Sequence, residues 1–142
     1  MIRRLPAMFA FFAASVSIGA HAASTSAPSP SPANVVRAFS HELPNIPGKS
    51  ITGLVVTYKP GDSTPPHRHG AAFVVGYVLS GTVRSQLENG SMKLYHAGVS
   101  WSENPGGHHT GSGNASQTEP ASILAIFVSD SKDPAPVIMD KH

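Results

Sequence analysis

The chain has 142 residues, enough for one domain. Ten basic and eight acidic residues give a formal charge of +2, and two of the basic ones, Arg3 and Arg4, belong to the extreme N-terminus; without them the charges balance, which leaves no basic stripe for nucleic acid or an acidic membrane. There is no cysteine, so a disulfide framework and any thiolate nucleophile or ligand are excluded.

Residues 1–22 read as a secretory signal peptide. Arg3 and Arg4 form its basic start, Leu5 to Gly19 its apolar stretch, and Ala20-His21-Ala22 a small-x-small cleavage site. The apolar run is shorter than the roughly 20 residues of a membrane span, so the mature protein is not expected to be an integral membrane protein. A secreted or periplasmic location follows as an expectation. Residues 23–33 are a Ser/Pro/Ala linker that cannot bury a core. The domain is expected over 34–137, with 138–142 as a tail.

Within the domain the apolar period is two. Asn34 to His41 is also compatible with a short helix. Leu54 to Tyr58 is β-branched and aromatic and stops at Pro60-Gly61; Val74 to Leu79 stops at Ser80-Gly81. Val83, Ser85 and Leu87 then alternate with more polar neighbours. Asn89-Gly90 is a hairpin signal, Met92 to Tyr95 the return strand, and Ala97-Gly98 a further turn before Val99 to Trp101. Ile123 to Val128 is a continuous apolar strand, expected to be buried on both faces. Short strands punctuated in this way predict an all-β sandwich or small barrel.

The chemistry concentrates in Gly61-Asp62-Ser63-Thr64-Pro65-Pro66-His67-Arg68-His69 and in Gly106-Gly107-His108-His109. Two histidines two apart on an extended segment point to the same side. A third from a later strand completes a three-nitrogen face, a usual way to hold a divalent metal with open positions. Pro65-Pro66 stiffens the entry to His67. Arg68, between the two histidines, points to the opposite face. His96 is expected to be exposed, and His41 and His142 lack partners.

These segments resemble the motifs of the cupin superfamily, as found in small single-domain bacterial members. The first motif matches in spacing: Gly61, five residues, His67-Arg68-His69, four residues, Val74, six residues, Gly81. The second matches as Gly98, five residues, Asn104-Pro105-Gly106, two residues, His109. Three positions depart from the pattern. Val74 stands where the family has a glutamate, Asn104 stands for a proline, and Gly113 stands for an asparagine, with Asn114 one place later. The resemblance implies a double-stranded β-helix, a jelly-roll barrel, with His67, His69 and His109 pointing inward onto a divalent metal such as Fe, Mn, Zn, Ni or Cu. It selects His109 over His108, which should face away or line the mouth. Glu103 is the acidic residue inside the second motif and is a candidate to orient a histidine or approach the metal. Tyr77 and Trp101 are read first as core and second as pocket wall.

The leading expectation is a metal-dependent enzyme, dioxygenase-like, acting on a small chelating molecule. The alternatives are a non-catalytic metal- or ligand-binding barrel and a metal-free isomerase with a histidine base. A homodimer is compatible with either.

Overall fold

The computed structural model describes residues 33–141. The signal peptide of 1–22 and nearly all of the 23–33 linker lie outside the described residues. Eleven strands form two antiparallel sheets: β1 (Asn34–Glu42), β2 (Lys49–Tyr58), β3 (Ser63–Thr64), β4 (His67–Arg68), β5 (Phe73–Ser80), β6 (Thr82–Leu87), β7 (Lys93–His96), β8 (Ser100–Glu103), β9 (His108–Asn114), β10 (Ala121–Asp130) and β11 (Ile138–Met139). One sheet has the order β1-β2-β10-β5-β8. The other has β11-β4-β9-β6-β7, with β3 also on β9. Sheet neighbours far apart in sequence, such as β2–β10 and β4–β9, are the mark of the jelly roll. Among the described residues no helix is long and apolar enough to cross a membrane.

Alternation decides which side chains enter the barrel. Along β5, Val74, Gly76 and Val78 are buried, while Phe73, Tyr77 and Leu79 are exposed. Facing positions on β2 and β10 follow suit: Val56 pairs with Ile123 and Leu54 with Ala125 on the inside. Tyr58, Val78, Val83, Trp101, Ala121 and Ile123 form one core cluster, and Ala72, Val74 and Phe127 another. Burying a side chain such as Phe127 stabilises by about 1.5–3 kcal/mol.

Three expectations change. Asn34 to His41 is not helical; it forms β1, paired with β2 from Asn34↔Thr57 to Glu42↔Ser50, with a bulge between Arg37 and Phe39. The β-branched Val35 and Val36 suit a strand, and the edge of β2 supplies the hydrogen bonds a lone helix turn would lack. β10 is not buried on both faces. Ile123 and Phe127 point inward, whereas Leu124, Ile126 and Val128 are only half-buried on the outer face of the sheet. Nor do Ile138 and Met139 lie in a tail beyond the domain, because they pair with Arg68 and His67 as β11.

Hairpins fall where turn residues stand. β6 and β7 pair antiparallel across the Asn89-Gly90 segment. Gly61 and Gly81, which bracket the first motif, have φ of +77° and +72°. L-residues with a Cβ rarely adopt that region, so these glycines fix how the histidine segment enters and how β5 leaves.

Candidate metal centre

His67 opens β4, His69 follows it, and His109 lies on β9 directly opposite His67. Cross-strand pairing, rather than sequence proximity, brings the third histidine to the first two. All three are buried, and one ring nitrogen from each lies within 4.8 Å of the others. Ring centroids are 4.7 Å apart for His67–His69, 5.0 Å for His67–His109 and 6.4 Å for His69–His109. Among the described residues this is the group of donors so placed.

Hydrogen bonds fix the tautomers. His67 Nδ1 donates to the Pro65 carbonyl at 2.7 Å, and His69 Nδ1 donates to the Pro136 carbonyl at 3.0 Å. A carbonyl can only accept, so the proton sits on Nδ1 and each Nε2 presents a lone pair. Metal-binding histidines are held in this way by outer partners. His109 Nε2 lies 2.9 Å from Ser85 Oγ, and its Nδ1 lies 3.2 Å from Glu103 Oε1. Burial, with the charges of His109 and His69, pulls the pKa of His67 from 6.5 down to about 4 against the opposing Pro65 carbonyl and Glu103. Burial lowers His69 as well, opposed by Glu103 and the Pro136 carbonyl. Neutral imidazoles are the form that ligates. The donor set therefore fits a divalent metal.

Glu103 is the acidic group at this centre. It is 5 % exposed and ends β8, where it pairs with Val74 of β5. Trp101 Nε1 donates to its Oε1 at 3.1 Å. Burial alone would raise its pKa. The hydrogen bond and charge of His109, the charge of His69 and the Trp101 N–H together outweigh burial and hold the carboxyl below its usual value. Trp101 lies flat against Gly76, its cross-strand partner, in space that a Cβ would fill.

The histidines line one wall of a cavity of about 130 Å³. Leu54, Val56, Val74, Ile123 and Phe127 make much of the remaining wall, with Trp101 beside Glu103. Tyr58, Thr64 and Ser112 add hydroxyls to the wall; the Tyr58 hydroxyl lies 2.9 Å from Ser112 Oγ and 3.0 Å from Thr64 Oγ1. Burial raises its pKa against those two bonds, so it stays a neutral phenol. Among the described residues no lysine or arginine lines the cavity.

Two candidates fall away from this centre. Tyr77 is 40 % exposed on the outer face of β5, neither core nor pocket wall, because its neighbours Gly76 and Val78 take the inward positions. His108 points away from His109, as strand alternation requires; its Nε2 meets Asp140 Oδ2 at 2.8 Å, outside the cavity. Asn114, one place beyond its expected position, is fully buried and donates to the carbonyls of Lys59 and Glu119 at 3.1 and 2.7 Å, a structural tie. Sequence reasoning missed the C-terminal contribution. Val137 and Met139 line the cavity, and the Pro136 carbonyl orients His69. The apolar run Val137-Ile138-Met139 behind the prolines was the available signal.

Residues 54–127 match the family model of the cupin domain. No curated protein matches the sequence. Among solved structures the chain is similar to a conserved double-stranded β-helix protein from Klebsiella pneumoniae, at 20% identity and a TM-score of 0.61 over 81% of this chain and 90% of that one. It is also similar to an oxalate oxidase, at 22% identity and a TM-score of 0.54 over 63% of this chain and 45% of that one. A DMSP lyase from Ruegeria pomeroyi gives 17% identity and a TM-score of 0.54 over 63% of this chain and 42% of that one. The chain thus spans less than half the length of those two enzymes, and at such identity the likeness concerns the fold. The family model covers more than half of the sequence and coincides with the strands that carry the three histidines, and on that ground the chain belongs to the cupin family.

Proposed function

We propose that this protein is an exported metal-dependent enzyme acting on a small, weakly polar, chelating molecule, with dioxygenase-like chemistry. One observation carries the reading: three buried histidines bring one ring nitrogen each within 4.8 Å of the others on the wall of a largely apolar cavity. His67, His69 and His109 would hold a divalent ion (Fe, Mn, Zn, Ni or Cu). Such an ion, when bound, supplies Lewis acidity or redox chemistry.

The chain's own residues would do the rest. Leu54, Val56, Ile123 and Phe127 exclude water and favour an apolar substrate body. The Tyr58 hydroxyl offers one hydrogen bond to a substrate oxygen. The cavity is close in size to the roughly 150 Å³ that accommodates benzene, which favours a compact diketone or catechol-like substrate. With no lysine or arginine on the wall among the described residues, a dianion such as oxalate would have to rely on the metal alone. The oxalate oxidase and DMSP lyase among the similar structures support an enzyme in general rather than either substrate.

The test is metal analysis of protein isolated from the export compartment, followed by oxygen uptake with β-diketones and catechols. Uptake that requires both metal and His67 supports the reading. Tight binding of these compounds without turnover, under every metal, would favour the non-catalytic barrel. A metal-free isomerase is less well supported, since among the described residues Glu103 and Tyr58 are the only titratable groups lining the cavity beyond the histidines. Export rests on residues 1–22 and is tested by the N-terminal sequence of the mature protein. A homodimer is supported by the apolar outer face of the β1-β2-β10-β5-β8 sheet, where Val36, Phe73 and Tyr77 are exposed; sedimentation equilibrium decides it.

A further inference from the structure

We propose that Glu103 is the carboxylate ligand of the metal centre, supplied from β8 in place of the position that Val74 occupies on β5; this rests on the metal reading above. Val74 and Glu103 are directly paired across β5 and β8, so both side chains rise from neighbouring points on the same inner face. Both line the cavity. A carboxylate lost at one place is therefore present one strand away.

The state of Glu103 Oε2 is the stronger argument. It is buried and has no hydrogen-bond partner. His69 Nε2 lies 3.4 Å from it. In the neutral ring, the form that ligates a metal, that nitrogen carries no proton, because the one ring N–H, on Nδ1, is given to Pro136. Two lone pairs then face each other in a buried site, an arrangement that calls for a cation between them. Two ligand atoms bound at about 2.1 Å around one ion are separated by about 3.0–3.4 Å in octahedral or tetrahedral geometry. The 3.4 Å between His69 Nε2 and Glu103 Oε2 falls in that range. Oε1 is already held by Trp101 Nε1, which leaves Oε2 as the ligating oxygen. A purely orienting role would need only Oε1, and it would leave the second oxygen without a function in a place where solvent cannot satisfy it.

The experiment compares wild type, E103Q and V74E/E103Q as stripped full-length mature proteins, with Zn(II) titrated calorimetrically and Co(II) read by its visible spectrum. E103Q keeps acceptor oxygen for Trp101 but loses the charge and should bind Zn(II) at least about 100-fold more weakly, with an altered Co(II) spectrum. V74E/E103Q returns a carboxylate to the same face and should recover most of the loss. An E103Q protein that binds Zn(II) within tenfold of wild type, or gives an unchanged Co(II) spectrum, would overturn the assignment while leaving the three-histidine centre intact. Wild type that binds neither ion would overturn the metal reading itself. If E103Q folds poorly, E103D answers the same question. A ligand shortened by one methylene loses affinity and changes the spectrum, whereas a charge that acts from outside the coordination sphere leaves the spectrum as it was.

Discussion

In metal-free protein, the buried histidines make stability depend on pH in a definite window. His67 is 6 % exposed, and its pKa falls from 6.5 to about 4 on folding, chiefly through burial. A depressed folded-state pKa means that the unfolded chain takes up the proton first. Between about pH 6.5 and 4 the unfolded state therefore binds more protons, and stability falls as pH falls. Above pH 6.5 the contribution is fully present, and below pH 4 it is gone. From pH 7.5 to 5 the loss from His67 alone is on the order of 2 kcal/mol, a large part of a total of roughly 5–15 kcal/mol. His69 shifts in the same direction and adds to it. Between pH 7.5 and 5 Glu103 adds little, because with a lowered folded-state pKa its contribution is lost only as pH falls through and below the ordinary carboxylate range. The assay is urea denaturation of chelator-treated protein in half-unit pH steps, with His67→Gln as control. Wild type should lose stability across the window, and the variant should lose less. Equal stability at pH 7.5 and pH 5, or a slope that His67→Gln leaves unchanged, would refute the picture of a histidine held neutral by burial.

Further outcomes follow from particular contacts. Gly76→Ala should destabilise the fold by about 1–3 kcal/mol, because the added methyl would have to displace Trp101 and with it the bond to Glu103; thermal melting and indole fluorescence read both effects. His109→Ala should abolish metal binding while His108→Ala retains it, and the reverse result in a metal titration would mean that the second motif is in the wrong register. Truncation after Ala135 removes β11 and the carbonyl that orients His69, so metal affinity should drop by about 10–100-fold. Asp140→Ala breaks only the bond to His108 and should leave that affinity close to wild type, as calorimetry would register.

The strands and the three histidines were legible because both depend on local rules. The β-branched and aromatic runs Leu54 to Tyr58 and Val74 to Leu79, each ended by a glycine turn, marked strands, and the motif spacing chose His109 over His108. Tyr77 was misread because an aromatic residue in a strand suits either face, and only the burial of Gly76 and Val78 decides which one it takes. β10 misled for a related reason: an apolar outer face is compatible with a sheet that is not covered on that side among the described residues. What the sequence could not reveal were pairings between distant segments. The junction of β11 with β4, and of Val74 with Glu103, depends on register between strands that no local pattern specifies. For the same reason Pro136, Val137 and Met139 entered the site unannounced.

The central claim is that His67, His69 and His109 form a centre for one divalent ion. Its most direct test is the melting midpoint of stripped protein with and without zinc, iron, manganese, copper or nickel at about 100 times the dissociation constant. Histidines from β4 and β9 meet only in the folded chain, so the ion should stabilise by about 2.7 kcal/mol and raise the midpoint by several degrees. A midpoint that none of the five metals moves would contradict the account.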